Sequence, residues 1–239
     1  MDNTHIRVRD FEHIVFFTGA GLSAESGVPT YRGQGGIWKE YDYERYACQA
    51  AFDRDPEAVW EFHNFRRELV GKCTYNAAHK WIARCQASLP DVAIVSQNID
   101  GMHQLAGATR VHELHGSLWK TRCDGCGART DDRDAPFDNL RCRTCSLRYM
   151  RADIVWFGDS LDERVIAQAV SAIEKCDLLI SIGTSGVVYP AAQMPLYAKQ
   201  TGATLVEVNP EPTVVSQVFD VQLRMTATQA LDLLCEGVE

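Results

Sequence analysis

His13-Ile14-Val15-Phe16-Phe17-Thr18-Gly19-Ala20-Gly21-Leu22-Ser23-Ala24 is the stretch on which the reading of this chain turns. A β-branched and aromatic run that stops at a glycine reads as a buried strand. Gly19 to Ala24 then leads toward a helix, so backbone N–H groups can approach a pyrophosphate that a side chain would block. A tight strand-to-helix turn with no ligand would leave the same short pattern. Two features favour a ligand. The ordinary dinucleotide fingerprint wants an acidic residue about 20 positions on, at a second strand end, whereas Glu40 falls in a polar loop. The glycines also run on into Glu25-Ser26-Gly27-Val28-Pro29-Thr30-Tyr31-Arg32-Gly33, whose Pro and Gly punctuation forbids one regular helix and suits a loop that closes over a cofactor.

Outward from that stretch, Val92 to Ser96 ends in Gln97-Asn98, Leu178 to Ile182 precedes Gly183, and Thr204 to Val208 precedes Asn209. Helical patterns at Asp162 to Lys175 and Pro190 to Gln200 alternate with these runs, which predicts an α/β fold with a Rossmann-like, doubly wound parallel sheet. Two stretches interrupt the alternation: a helical one from about Asp42 to Tyr75 and a cysteine-bearing one from about Leu118 to Arg151. The expected division is a large lobe of residues 1–41, 76–117 and 152–239, with a helical module (42–75) and a zinc-ribbon module (118–151) forming a smaller lobe.

Cys123-x-x-Cys126 and Cys142-x-x-Cys145 are two knuckles separated by 15 residues, a spacing that lets four thiolates converge on one Zn²⁺. A redox C-x-x-C is the competing reading, but two copies in a loop-rich, charged segment suit a metal better. Four sulfur ligands leave no open position, so the zinc is expected to be structural. The other five cysteines (Cys48, Cys73, Cys85, Cys176, Cys235) fall among helical-looking segments and read as small buried hydrophobes.

With 46% hydrophobic and 23% charged residues in 239, the composition is that of a soluble globular protein. A formal charge of -8 argues against a nucleic-acid binder and suits a basic protein partner. In the zinc segment, Arg122, Arg129, Arg133, Arg141 and Arg143 are balanced by Asp124, Asp131, Asp132, Asp134 and Asp138. The apolar run Ile14 to Phe17 is too short for a signal core or a membrane span, so a cytoplasmic protein without membrane association, acting as a monomer, is expected.

Gln97-Asn98-Ile99-Asp100 lies just past a strand, where open α/β sheets place ligands, and His115-Gly116-Ser117 follows shortly after. An imidazole can act as a general base at neutral pH, and Asn and Asp can orient a water, a ribose or an amide. On position alone His103 and His112 serve as well as His115, and any of the three fits a structural role.

Taken together, Gly19 to Arg32, Gln97 to Asp100, His115-Gly116, the four paired cysteines, Gly183-Thr184-Ser185 and Asn209 resemble the sirtuin motifs in sirtuin order, over nearly the whole chain. The resemblance singles out His115 as the catalytic base, with Asn98 beside it. It implies NAD as co-substrate, with Gly19, Ala20, Gly21, Ser23, Ala24, Glu25, Thr30, Tyr31, Arg32 and Trp38 around the binding loop. Gln97, Asn98, Ile99 and Asp100 would form the nicotinamide pocket, Gly183, Thr184, Ser185, Asn209 and Glu211 would face the adenosine half, and Ala227 the adenine. The implied reaction transfers an acyl group from a protein lysine to ADP-ribose and releases nicotinamide. The acyl-lysine carbonyl oxygen attacks the ribose, His115 deprotonates a ribose hydroxyl, and water completes the sequence. Ile154 to Asp159 resembles the family's substrate strand, so Val155, Trp156, Phe157 and Gly158 would pair with an acyl-lysine peptide as an added strand.

Trp60 to Arg67 resembles the class III branch, whose Tyr-x-x-Arg pair binds the carboxylate of succinyl- or malonyl-lysine; here His63 stands at the tyrosine position and Arg66 at the arginine. The two share a helix face, which suits either an Arg fork with imidazole assistance or a plain solvated face. Ala47 falls where that branch keeps a small residue. Deacetylation and desuccinylation are both expected. The rival activities are mono-ADP-ribosyl transfer and, without catalysis, nucleic-acid binding by the zinc ribbon.

Overall fold

The computed structural model describes residues 6–30 and 42–234. Tyr31, Arg32 and Trp38 of the expected cofactor loop, and Cys235, lie outside the described residues.

Among these residues the strands are β1 (His13–Thr18), β2 (Asp91–Ser96), β3 (Val111–Glu113), β4 (Gly116–Cys123), β5 (Arg129–Asp131), β6 (Met150–Ile154), β7 (Leu178–Ile182), β8 (Thr204–Val208) and β9 (Val221–Leu223). The helices are α1 (Ala20–Ala24), α2 (Tyr43–Tyr46), α3 (Gln49–Arg54), α4 (Pro56–Gly71), α5 (Ala77–Ser88), α6 (Met102–Leu105), α7 (Glu163–Lys175), α8 (Met194–Gln200) and α9 (Leu231–Leu234).

Six strands form one parallel sheet in the order β3-β2-β1-β7-β8-β9. Numbered only among themselves they run 3-2-1-4-5-6, the order of a doubly wound dinucleotide-binding sheet, with the reversal between β1 and β7. β1 is buried on both faces, which explains why it reads as a continuous apolar run rather than an alternating one. Ile14 and Phe16 point into a core with Trp81 and Ile82 of α5 and Ile180 of β7. Val15 and Phe17 point the other way, into a core with Ala169 and Ile173 of α7 and Ala198 of α8. Each such side chain contributes about 1.5–3 kcal/mol of burial, so this strand anchors the layers on both sides.

The four long strands stand where the sequence puts them. β3 and β9 do not show in the sequence because each has only three residues at a sheet edge, too few to carry a period.

The two interrupting stretches build a second body. β4, β5 and β6 form an antiparallel sheet in the order β5-β4-β6, which runs into the large sheet's connections at Gly116 and Ile154. α4 begins at Pro56, with the Asp55 carboxylate accepting a hydrogen bond from the Ala58 N–H. Its inner face shares one core with the small sheet: Trp60 lies 4.7 Å from the Phe137 ring, and its indole N–H donates to the Met150 carbonyl. The helical and zinc segments therefore fold against each other.

Of the scattered cysteines, Cys85 and Cys176 are buried as expected, whereas Cys48 and Cys73 are half-buried. Only Cys85 sits within a helix: Cys48 caps α3, Cys73 follows α4, and Cys176 ends α7. No helix among the described residues is long and apolar enough to cross a membrane.

Candidate active site

The site forms where the sheet order reverses. The C-terminal ends of β1 and β7 meet there, and their approach is closer than the glycine turn alone predicts. The Gly19 and Gly21 N–H groups donate to the Ile182 and Gly183 carbonyls at 2.9 Å each. A Cβ on Gly21 would stand 2.6 Å from the Gly183 Cα, and one on Gly183 would stand 2.3 Å from the Leu22 nitrogen. These glycines therefore serve first to let two backbone turns touch, and the short helix α1 starts from that contact.

Behind the turn lies a buried polar network. Asn98, 6% exposed, donates from Nδ2 to the Gly19 carbonyl at 3.0 Å and to the Ser23 hydroxyl at 3.3 Å. Ser23 donates in turn to the Asp100 carboxylate at 2.8 Å, whose other oxygen accepts the Met102 N–H at 2.9 Å. His79 Nε2 lies 3.3 Å from the Ser23 oxygen. At the other side of the ring, His79 Nδ1 lies 3.0 Å from the Asn76 side-chain oxygen and 3.4 Å from the Asn76 backbone nitrogen, so the cap of α5 holds the imidazole against Ser23. One layer deeper, His103 Nε2 meets the Thr18 hydroxyl at 3.0 Å, Thr18 donates to Ser96 at 3.0 Å, and the Asn98 N–H donates to that same Ser96 oxygen at 3.1 Å. Burial sets the charges: it pushes His79 down to about 4 and His103, with His79 beside it, down to about 3. Burial also pushes the Asp100 carboxyl up, while the Met102 N–H and Ser23 hydroxyl pull it back.

The structure separates the three candidate histidines. His103 is buried and engaged with Thr18, and His112 lies half-buried on β3. His115 has Nδ1 held at 2.9 Å by the Gln97 carbonyl, which fixes its tautomer and leaves Nε2 as the nitrogen available for proton transfer. Burial holds its pKa below the ordinary imidazole value, against the pull of that hydrogen bond. The imidazole is thus neutral at pH 7 and anchored to Gln97, the residue that precedes Asn98 in the chain.

At the far end of the crevice, Asn209 donates to the Thr184 carbonyl at 3.1 Å, and Ser185 and Glu211 are exposed beside them. Ala227 is buried in the main core at 7% exposure. Glu25 accepts hydrogen bonds from the Thr228 N–H and hydroxyl, which braces the segment of Ala227 against the end of α1. Ala24 is exposed, and Thr30 is the last described residue before the 31–41 stretch.

The expected substrate strand is corrected. β6 ends at Ile154, and residues 155–158 form a loop with a turn at Phe157-Gly158. Its N–H groups are already committed: Val155 donates to the His115 carbonyl at 3.0 Å, Trp156 to the Asp159 carboxylate at 3.1 Å, and Phe157 to the Ala47 carbonyl at 3.1 Å. The loop is therefore tied to the base on one side and to Ala47 on the other, and a peptide pairing here would use its carbonyls.

Of the two readings open for α4, the solvated face is excluded. His63 is fully buried and Arg66 is 5% exposed. The His63 ring stacks parallel to Trp156, 7° between planes and 5.9 Å between centroids, and the Arg151 guanidinium lies 3.5 Å over the Trp156 ring. Arg151, 1% exposed, donates to Asp159 at 2.6 Å, to the Ile154 carbonyl at 3.1 Å and to Gln49. Arg151, His79, Thr18 and Ser96 escaped the sequence reading because nothing in their spacing distinguishes them from ordinary core or surface positions.

The four cysteine sulfurs lie within 4.8 Å of one another, with Cys123 to Cys145 at 3.7 Å and Cys126 to Cys142 at 3.6 Å. Tetrahedral bonds of about 2.3 Å place sulfurs about 3.8 Å apart, so the cradle fits one zinc ion. The module is stitched to the crevice: the Leu118 N–H donates to the Ile99 carbonyl at 2.9 Å, and the Trp119 indole N–H to the Asp100 carbonyl at 2.6 Å.

A doubly wound sheet with a polar crevice at its reversal point, bearing a four-cysteine ribbon, defines a class of nucleotide-binding α/β proteins. Within it, residues 19–190 match the Sir2 family model. The chain is 45% identical over 226 residues to an NAD-dependent protein deacylase of Aeropyrum pernix, covering 94% of this chain and 91% of that one. It is 40% identical over 235 residues to the mitochondrial NAD-dependent protein deacylase sirtuin-5 of Danio rerio, covering 87% and 77%. Among solved structures, a Sir2 homologue in complex with NAD superposes with a TM-score of 0.89 at 38% identity, covering 96% and 90%. The chain belongs to the Sir2 family.

Proposed function

We propose that this protein is an NAD-dependent protein-lysine deacylase that accepts acetyl and acidic acyl groups. The observation that carries the reading is the junction at His115. Its Nδ1 is pinned by the carbonyl of Gln97, next to Asn98, and its own carbonyl holds Val155 of the substrate loop. One residue thus links the nicotinamide side of the crevice to the acyl-lysine side. NAD, when bound, supplies an activated ribose bond and the acceptor for the acyl group.

The chain's own residues supply position and charge. An amide oxygen is a weak nucleophile, and holding it in line is worth about 7–11 kcal/mol. The loop tethers at His115 and Ala47 restrict where the lysine can lie. Asn98 and Asp100 present hydrogen-bonding groups for a carboxamide in a pocket that excludes water, and Ser23 and His79 keep both in place. His115 takes a proton at Nε2 while Gln97 steadies the resulting imidazolium through Nδ1. Tyr31, Arg32 and Trp38 complete the cofactor loop in this proposal.

Similarity to the sirtuin-5 relative, together with Arg66 and His63 on the inner face of α4, supports acidic acyl groups as a second substrate class. The test incubates zinc-loaded protein with NAD and with acetyl- or succinyl-lysine peptides, and mass spectrometry follows nicotinamide, free lysine and acyl-ADP-ribose. All three form in equal amounts if the reading is right, and His115→Ala stops lysine release. ADP-ribose retained on protein, or no nicotinamide at all, overturns it.

A further inference from the structure

His63 is an anomaly among the described residues. Its side chain is fully buried, and neither ring nitrogen has a hydrogen-bond partner. A buried polar atom left unpaired bears its full desolvation penalty, so such a group calls for an explanation. Packing alone does not supply one, because a phenylalanine would fill the slot between Trp60, Phe62 and Trp156 without that cost.

The charges around the ring are of one sign. Arg66 and Arg67 come from α4 itself and Arg151 from β6. Arg151 meets Asp159 at 2.6 Å, and Arg67 meets Asp132 at 3.7 Å. The elements packed against His63 otherwise present aromatic faces: Trp60 and Phe62 from α4, and Trp156 from the substrate loop. Burial and the three guanidiniums hold the imidazole well below its usual range, so it is neutral at pH 7. A neutral imidazole offers one donor and one acceptor. A carboxylate arriving beside it offsets the three guanidiniums and works against the effect of burial, because an opposite charge within a few ångströms favours the protonated ring.

We infer that His63 makes this site proton-coupled: an acyl group ending in a carboxylate enters together with one proton, which His63 takes from solvent, whereas an acetyl group enters alone. The inference rests on the acidic-acyl part of the proposed function. It assigns to the histidine a role that a tyrosine at this position cannot play near neutral pH, since a phenol titrates near 10. The wall opposite the acyl group is then the Trp156 ring, held between His63 and Arg151.

The signature is a ratio. Measured on peptides of one sequence, kcat/KM for succinyl-lysine divided by that for acetyl-lysine cancels the titration of His115 and of NAD binding. Between pH 6 and 8.5 that ratio falls as pH rises, by up to about tenfold per unit above the pKa of the occupied site. In His63→Tyr the ratio is flat. Calorimetry on the unaltered protein, titrated with succinyl peptide in two buffers of different ionisation enthalpy, gives close to one proton taken up per peptide, and acetyl peptide gives none. That measurement stands if the variant does not fold. Succinyl turnover with a flat ratio and no proton uptake overturns the coupling and leaves the proposed function intact. Acetyl turnover with no succinyl turnover at any pH overturns the acidic-acyl reading and this inference with it.

Discussion

Gly183→Ala tests whether the β1 and β7 turns must touch, and Gly202→Ala is its control. Both glycines have positive φ, 63° and 91°, so an alanine at either pays about 1–2 kcal/mol for the left-handed backbone. Around Gly202, in the turn between α8 and β8, an added Cβ meets nothing within 4 Å. At Gly183 the same atom would stand 2.3 Å from the Leu22 nitrogen, 2.5 Å from the Gly21 carbonyl carbon and 2.6 Å from the Gly21 Cα. All three are backbone atoms, so no side chain can swing away, and the strand ends must part by about 1 Å to restore ordinary contact. Overpacking of this kind costs a further ~1–3 kcal/mol. The difference between the two variants is therefore the contact itself. Urea unfolding should place Gly202→Ala about 1–2 kcal/mol below the parent and Gly183→Ala a further 1–3 kcal/mol below that. Because the separation opens the crevice at the Gly19 and Gly21 hydrogen bonds, NAD affinity measured by calorimetry should fall at least tenfold in Gly183→Ala and hold in Gly202→Ala. Equal unfolding midpoints with equal NAD affinity would refute the argument that the glycines are there for close approach.

Zinc chelation should open the small lobe first: hydrogen exchange in residues 116–154 rises by orders of magnitude while β1, β7 and β8 stay protected, because metal binding supplies on the order of 10 kcal/mol of local folding free energy; unchanged exchange in 116–154 would remove the metal from the fold. Acid should weaken the protein through His79 and His103. Both are neutral when folded, with values of about 4 and about 3, and near 6.5 when unfolded. The unfolded chain therefore binds more protons below pH 6.5, so their contribution is intact above that pH and is lost as pH falls toward 4 and 3, about 3 kcal/mol for His79. A pH series of urea midpoints should show this slope, and His103→Gln should flatten part of it.

The central sheet was legible because burial on two faces writes itself into composition. Ile14 to Phe17 is apolar throughout and Leu178 to Ile182 is broken only by Ser181, and the strands they belong to, β1 and β7, are each followed by a glycine. The cysteine knuckles were legible because four thiols at that spacing have few other uses. The sequence left the His63 and Arg66 face of α4 open between a carboxylate grip and a solvated surface because both are polar residue types, and only the fold shows that face covered, His63 by Trp156 and the neighbouring Arg67 by Trp119 and Phe137. Residues 155–158 were expected as strand from the resemblance of Ile154 to Asp159, yet their N–H groups go one by one to His115, to the nearby Asp159 and to Ala47 instead of to a sheet neighbour. The hydrogen bonds that hold Asn98 come from residues up to 79 positions away in sequence, so no local pattern could announce them.

A metal with no free coordination position can still govern the chemistry, and β4 shows how. The strand begins at Gly116, directly after His115, and ends at Cys123, the first zinc ligand. Along its length it gives a backbone hydrogen bond to Ile99 and an indole hydrogen bond to the Asp100 carbonyl. At its start the backbone turns at φ 74° on Gly116, where a Cβ would stand 2.1 Å from the Asp153 carbonyl oxygen. β6 is therefore pressed against β4 at the point from which the substrate loop departs. The four-cysteine ribbon thus stands at the far end of a strand whose near end follows His115 and whose flank supports Ile99 and Asp100, the residues to which the proposed function gives the base and the nicotinamide pocket. A zinc ion held by Cys123, Cys126, Cys142 and Cys145 would fix the Cys123 end of β4, so stripping the metal should loosen the strand that follows His115 even though the four sulfurs leave the ion no open position.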